Sequence, residues 1–202
     1  GTLYWFDIVE KKLLEKTMPD GEVVVHDLPV MASALAVIDD KRQLLVTERG
    51  LEIRDRATGR LTLHKEIEAD NPLTRSNDSR VHPSGAFWIG TMAKVEEGPA
   101  SGAIYWYKAG ELRTLFSPVA IPNSICFSAD GAIAYFVDSA RNKLMRVECD
   151  SGTGLPLGEP KLFVDYSGPG GIDGSVCEPD YAPFFTQAVA VIADTCDNFI
   201  PG

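Results

Sequence analysis

The 202-residue sequence predicts an all-β protein assembled from β-propeller blades. Three observations carry that reading. Short β-type runs alternate with turn clusters along the chain, and no apolar 3.6-residue period is sustained ahead of the C-terminal tail. One turn-and-strand phrase also recurs at nearly constant spacing.

Leu3-Tyr4-Trp5-Phe6-Asp7-Ile8 is a strand by its aromatic and branched content. Met18-Pro19-Asp20-Gly21 is a turn, after which Glu22 to His26 resumes a strand. Leu44 to Thr47, Leu51 to Arg54 and Arg60 to His64 follow, divided by Arg49-Gly50 and Ala57-Thr58-Gly59. Asn77-Asp78-Ser79-Arg80-Val81-His82-Pro83-Ser84-Gly85 then leads into the strand Ala86 to Gly90. Asn123 to Gly131 leads in the same way into Ala132 to Asp138. In both, a polar residue stands eight positions before a turn glycine. An earlier copy opens at Ser33 and a later one at Asp173, so the copies begin at 33, 77, 123 and 173, in steps of 44, 46 and 50.

A period of about 40–50 residues with about four strands per unit is the propeller signature. One such sheet cannot cover both of its faces, so neighbouring blades must stack around an axis. The sequence predicts about four blades, three nearly complete and a partial one at each end. Residues 1–180 form a partial propeller, and 181–202 form a tail that departs from the pattern. Tyr181 stands where the repeat needs a turn glycine.

Hydrophobic residues make up 45% of the chain and charged residues 24%, which suits a sizeable core. No apolar run reaches the ~20 residues that a bilayer span needs. A net charge of −10 repels phosphate backbones and anionic lipid, which argues against nucleic-acid and membrane partners. Cys126, Cys149, Cys177 and Cys196 form no C-x-x-C pair, so reduced thiols and a cytoplasmic location are expected. His26 and His64 lack metal-ligand spacing, and His82, in a polar turn before Pro83, reads as a surface residue.

The first residue of an innermost blade strand tends to face the central channel. Asn77, Asn123 and Asp173 hold that place in successive repeats, so they are expected to converge on one axial pocket. Amide and carboxylate oxygens are hard ligands, suited to Ca²⁺ or Mg²⁺ and acceptable to Mn²⁺ or Zn²⁺. Turn and cap roles explain any one of these residues as well; repetition in phase favours a site. Arg75, two residues before Asn77, points to the same mouth.

Arg75-Ser76-Asn77-Asp78, running into Gly90-Thr91-Met92, resembles the R-x-N-D…G-T-M signature of the regucalcin/gluconolactonase family. Pro122-Asn123-Ser124, followed by Tyr135 to Ser139, is similar to that family's P-N-G…Y-x-x-D-S blade, and Gly171-Ile172-Asp173-Gly174 to its P-D-G blade start. The resemblance implies a six-bladed propeller holding one divalent cation, with Ca²⁺ first in order, through a Glu, an Asn and an Asp. Asn123 matches the Asn and Asp173 the Asp, while Arg75 and Asn77 match residues that contact a sugar lactone. Asp173 would also act as general base in opening the lactone to an aldonic acid.

The family's Glu is expected on a strand ahead of Gly1. A further family acidic residue falls at Lys94-Val95, so Glu96 or Glu97 takes its place only by a shift. The resemblance leaves other roles open: a calcium-binding regulatory protein without turnover, a propeller used as a binding platform, or an inactive fragment of a lactonase. On the last reading the isolated chain is expected to self-associate and to show little lactonase activity.

Overall fold

The computed structural model describes residues 1–95 and 102–165. Its strands form four antiparallel meanders. The first is a three-stranded sheet of β1 (Thr2–Asp7), β2 (Lys12–Thr17) and β3 (Val23–Asp27). The second holds β4 (Ala32–Val37), β5 (Arg42–Thr47), β6 (Gly50–Asp55) and β7 (Leu61–Glu66). The third holds β8 (Thr74–Val81), β9 (Phe87–Ala93), β10 (Gly102–Lys108) and β11 (Glu111–Val119). The fourth holds β12 (Pro122–Phe127), β13 (Ile133–Asp138), β14 (Lys143–Glu148) and β15 (Lys161–Asp165). The all-β, blade-by-blade architecture is the one the repeat predicts. Among the described residues no helix is long and apolar enough to cross a membrane. Asp173 and the tail from 181 lie outside the described residues.

Successive side chains of a strand point to opposite faces, and here both faces are apolar. In β9, Phe87 and Ile89 join Val46 and Leu51 in the seam between the second and third sheets. Trp88, between them, joins Phe116, Ile125 and Phe136 in the seam between the third and fourth. In β5, Leu45 packs with Leu13 toward the first sheet, while Val46 turns the other way. Strands β5 and β9 are therefore buried on both sides, and the sheets stack face to face. β4, β8 and β12 lie side by side at the inner edge.

His82 is a correction to the sequence reading: it is buried, at 1% exposure, in the seam between the third and fourth sheets. Its Nδ1 accepts the Ser84 backbone N–H at 3.0 Å, so the ring proton sits on Nε2 and is donated to the Gly131 carbonyl at 2.9 Å. The ring meets Phe127 edge-on at 4.7 Å between centroids. Gly131 and Gly154 flank it so closely that a Cβ on either would fall 2.7 or 2.8 Å from the imidazole. Trp88 and Trp106 donate their indole N–H groups to the carbonyls of Gly154 and Thr153, at 2.8 and 2.9 Å. The turn at 150–154 thus fastens the fourth sheet onto the third.

That turn is itself a repeated device. Asp150 Oδ1 accepts both the backbone N–H and the hydroxyl of Thr153, as Asp55 Oδ1 does from Thr58. The following glycines, Gly59 and Gly154, share a positive φ of 72°.

Replacing His82 with alanine opens a cavity and orphans the Gly131 carbonyl and Ser84 N–H, so a loss of about 2–4 kcal/mol in urea denaturation is expected. Two edge strands are apolar on both sides: Val23, Val24 and Val25 on β3, and Leu162, Phe163 and Val164 on β15, each roughly half exposed. Edges of that kind pair with one another. Size-exclusion chromatography of the chain is expected to show concentration-dependent oligomers, reduced by Val24→Lys combined with Phe163→Lys.

Candidate functional site

Strands β4, β8 and β12 each carry one extra residue against their partner. The irregularity falls between Ala32 and Ala34 in β4, between Ser76 and Ser79 in β8, and between Asn123 and Cys126 in β12. A bulge turns a side chain out of the regular alternation and leaves backbone groups unpaired. Ser33 and Asn77 sit in these bulges, Asn123 sits directly before its own and still pairs with Val137, and hydrogen bonds join the three in series.

Ser33 Oγ donates to the Asn77 carbonyl at 2.6 Å. Asn77 Nδ2 donates to the Pro122 carbonyl at 2.9 Å and to Asn123 Oδ1 at 2.8 Å. Asn123 Nδ2 donates to Ser139 Oγ at 2.9 Å. A carbonyl only accepts, so Pro122 fixes which end of the Asn77 amide faces β12. That in turn fixes the Asn123 amide, with its oxygen toward Asn77.

Arg75 Nη1 donates to Asn77 Oδ1 at 3.2 Å and to the Ser76 carbonyl at 2.9 Å. Burial lowers the Arg75 pKa from its ordinary value, and no carboxylate among the described residues pairs with it. Asp78 Oδ2 accepts the Ile125 N–H at 2.7 Å, across the seam. Burial pushes the Asp78 carboxyl above its usual range, against the pull of the Ile125 and Ser79 N–H groups and of Arg80. Asp138 accepts the backbone N–H groups of Ala120 and Ile121 at 3.4 and 3.3 Å, anchoring the entry to β12.

The structure therefore brings Arg75, Asn77 and Asn123 together across two sheets. Asp173, the remaining expected ligand and base, lies outside the described residues, as do Glu96 and Glu97. Lys94, at the position of the family's further acidic residue, pairs with Glu48 at 2.7 Å. Burial alone would raise the Glu48 carboxyl, but Lys94 and the Met31 N–H hold it below its ordinary value. His26 and His64 are engaged by Glu15 and Tyr107. Sequence reasoning gave no role to Ser33, Asp78 or Ser139. Ser33 stands at the phase of Asn77 and Asn123, and Ser139 closes the Tyr135–Ser139 phrase, so both were open to detection.

Among the described residues no three His, Cys, Asp or Glu side chains are grouped to hold a metal ion. The amide oxygen of Asn123 is nevertheless a hard donor in a fixed orientation, half-buried at the inner edge. It fits as one ligand of an oxygen-loving cation and needs anionic partners to complete the set.

The model of the SMP-30/gluconolactonase/LRE-like region matches residues 1–188. The chain belongs to this family. It is 47% identical over 181 residues to a Rhizobium meliloti protein named "Putative sugar lactone lactonase", covering 89% of this chain and 61% of that one. It is 33% identical to L-arabinolactonase of Azospirillum brasilense, covering 88% and 60%. A crystal structure of a calcium-binding protein, regucalcin, from Agrobacterium tumefaciens superposes with a TM-score of 0.80 at 52% identity, covering 88% and 60%. The chain thus spans about three fifths of the length of these relatives.

Where the motif of this gluconolactonase family reads P-N-G, the chain has Ser124, and its φ is 55°. A serine held in the left-handed region is strained by about 1–2 kcal/mol, a penalty that glycine escapes. Allowing for glycine's greater freedom when unfolded, Ser124→Gly is expected to raise urea stability by about 0.5–1 kcal/mol without disturbing Asn123.

Proposed function

We propose that this chain carries the inner-edge residues of a divalent-metal-dependent sugar lactone hydrolase. One observation supports the reading above others. The Asn77 and Asn123 side chains meet at 2.8 Å from bulges on adjacent blades of a gluconolactonase-family fold, with Arg75 bonded to the first. Asn123 and Asp173 would hold the cation, Ca²⁺ by preference, with Mg²⁺, Mn²⁺ or Zn²⁺ as alternatives. When bound, such a cation polarises a carbonyl and acidifies water.

The remaining chemistry belongs to the side chains. Arg75, charged and without a carboxylate partner among the described residues, orients the oxygens of the lactone ring. Asn77 reads a sugar hydroxyl with its amide. Asp173 takes a proton from the attacking water as the new C–O bond forms. The ring C–O bond breaks, its oxygen takes the proton back from Asp173, and an aldonic acid is released. The small-molecule lactone is the proposed partner.

A second reading, calcium binding without turnover, is favoured by the likeness to the 52% identical Agrobacterium tumefaciens regucalcin, a calcium-binding protein. Calorimetry with Ca²⁺ and Mn²⁺, paired with a pH-stat assay of gluconolactone opening, separates the two. Asp173→Ala is expected to weaken cation binding at least tenfold, on the order of one oxygen ligand's contribution. Arg75→Ala is expected to lower kcat/KM by about 100-fold while leaving cation affinity within about twofold. Cation binding without lactone opening supports the regulatory reading; absence of cation binding overturns both.

A further inference from the structure

We infer that Asp78 is a positioning residue that aims Asn123 by holding the backbone of the β12 bulge from the neighbouring blade. The inference rests on the reading of Asn123 as a cation ligand, but its structural half stands independently. Between Asn123 and Cys126 the register of β12 slips by one residue, so Ser124 and Ile125 lack regular cross-strand partners on β13. A buried N–H without an acceptor is costly. Asp78 Oδ2 supplies the acceptor for Ile125 at 2.7 Å, from 47 residues earlier in the chain.

The neighbouring residue completes a clamp. Asn77 bonds the Pro122 carbonyl and the Asn123 side chain, so the Asn77-Asp78 pair brackets 122–125 with three hydrogen bonds. Ile125 is held from the other side as well, because its side chain lies in the apolar seam beside Trp88 and Phe136. Gly90 lets the strands come this close: a Cβ there would fall 2.7 Å from the Asp78 carbonyl oxygen and 2.9 Å from Pro122 Cγ.

The adjacent seam is built differently. Between β4 and β8 the neutral Ser33 hydroxyl meets the Asn77 carbonyl. Between β8 and β12 a partly buried carboxylate meets an amide. A charge-assisted bond of this kind is about twice as strong as a neutral one. The stronger connector thus sits at the bulge that carries the proposed ligand.

The test uses the full 202-residue chain with Asp78→Ala and Asp78→Asn, reading Ile125 amide exchange, Mn²⁺ and Ca²⁺ affinity, and thermal melting. Asp78→Ala is expected to speed Ile125 exchange at least tenfold and to weaken cation binding by about 10–100-fold. Asp78→Asn keeps an oxygen acceptor and is expected to restore both to within about threefold. If the alanine variant does not fold, Asp78→Ser, too short to reach Ile125, takes its place with the same expected changes. Unchanged Ile125 exchange in the alanine or serine variant overturns the inference. So does an asparagine variant as weak as alanine in cation binding with Ile125 still protected, since the charge and not the clamp would then be what matters. A wild-type chain that binds neither cation sinks the metal-ligand reading, whereas Ile125 exchange still decides whether Asp78 holds the bulge.

Discussion

A sheet whose two faces are both apolar has to be covered on both sides, and that requirement organises this molecule. Trp88 cannot be buried by its own sheet, because Phe87 and Ile89 on the same strand face the opposite way. Burying Trp88 needs the fourth sheet; burying its neighbours needs the second. Side chains of this size contribute roughly 2–3 kcal/mol each on burial, so face-to-face stacking outweighs any arrangement that leaves one seam open. Stacking in turn brings β4, β8 and β12 side by side at one edge.

What happens at that edge follows from how tightly the inner strands are drawn together. Regular strands would send alternate side chains back into the seams. The bulges at Ser33, at Asn77-Asp78 and at Ser124-Ile125, directly after Asn123, interrupt that alternation. They also expose backbone groups that need partners, and the partners come from the next blade: Ser33 for the Asn77 carbonyl, Asn77 for the Pro122 carbonyl, Asp78 for the Ile125 N–H. The polar side chains at the edge are thereby fixed by the same bonds that join the blades. Arg75 is the exception, because among the described residues it bonds only to the Ser76 carbonyl and Asn77 and meets no carboxylate. A charge held half-buried in this way is suited to an electron-rich ligand.

Away from the edge, the turn at 150–154 shows how polar groups lock a seam that apolar packing alone would leave free to slide. Two indole N–H groups and one imidazole reach its neighbourhood, each with a single geometric solution. His82 illustrates why a local reading fails there. Its immediate sequence, Val81-His82-Pro83-Ser84-Gly85, has the composition of an exposed turn. The segment that buries it, around Gly131 and Gly154, lies 49 and 72 positions further on.

The sequence by itself determined the class of fold and the phase of the repeat that carries Asn77 and Asn123. Strand character at Leu3–Ile8 and Leu44–Thr47 is local chemistry, and the recurrence from Ser33 through Asn77 to Asn123 needs no contacts to be seen. It also supplied Arg75, because that residue sits a fixed two positions before Asn77. Strands such as β11 and β14, with mixed and partly exposed residues, carry no comparable signature and emerge only from pairing with β10 and β13. Only the tertiary structure decided that Asn77 touches Asn123, that Ser139 orients the second amide, and that Asp78 serves the β12 backbone. Those contacts join residues 16 to 47 positions apart through bulges, whose extra residue depends on the register between strands and is written in neither strand alone.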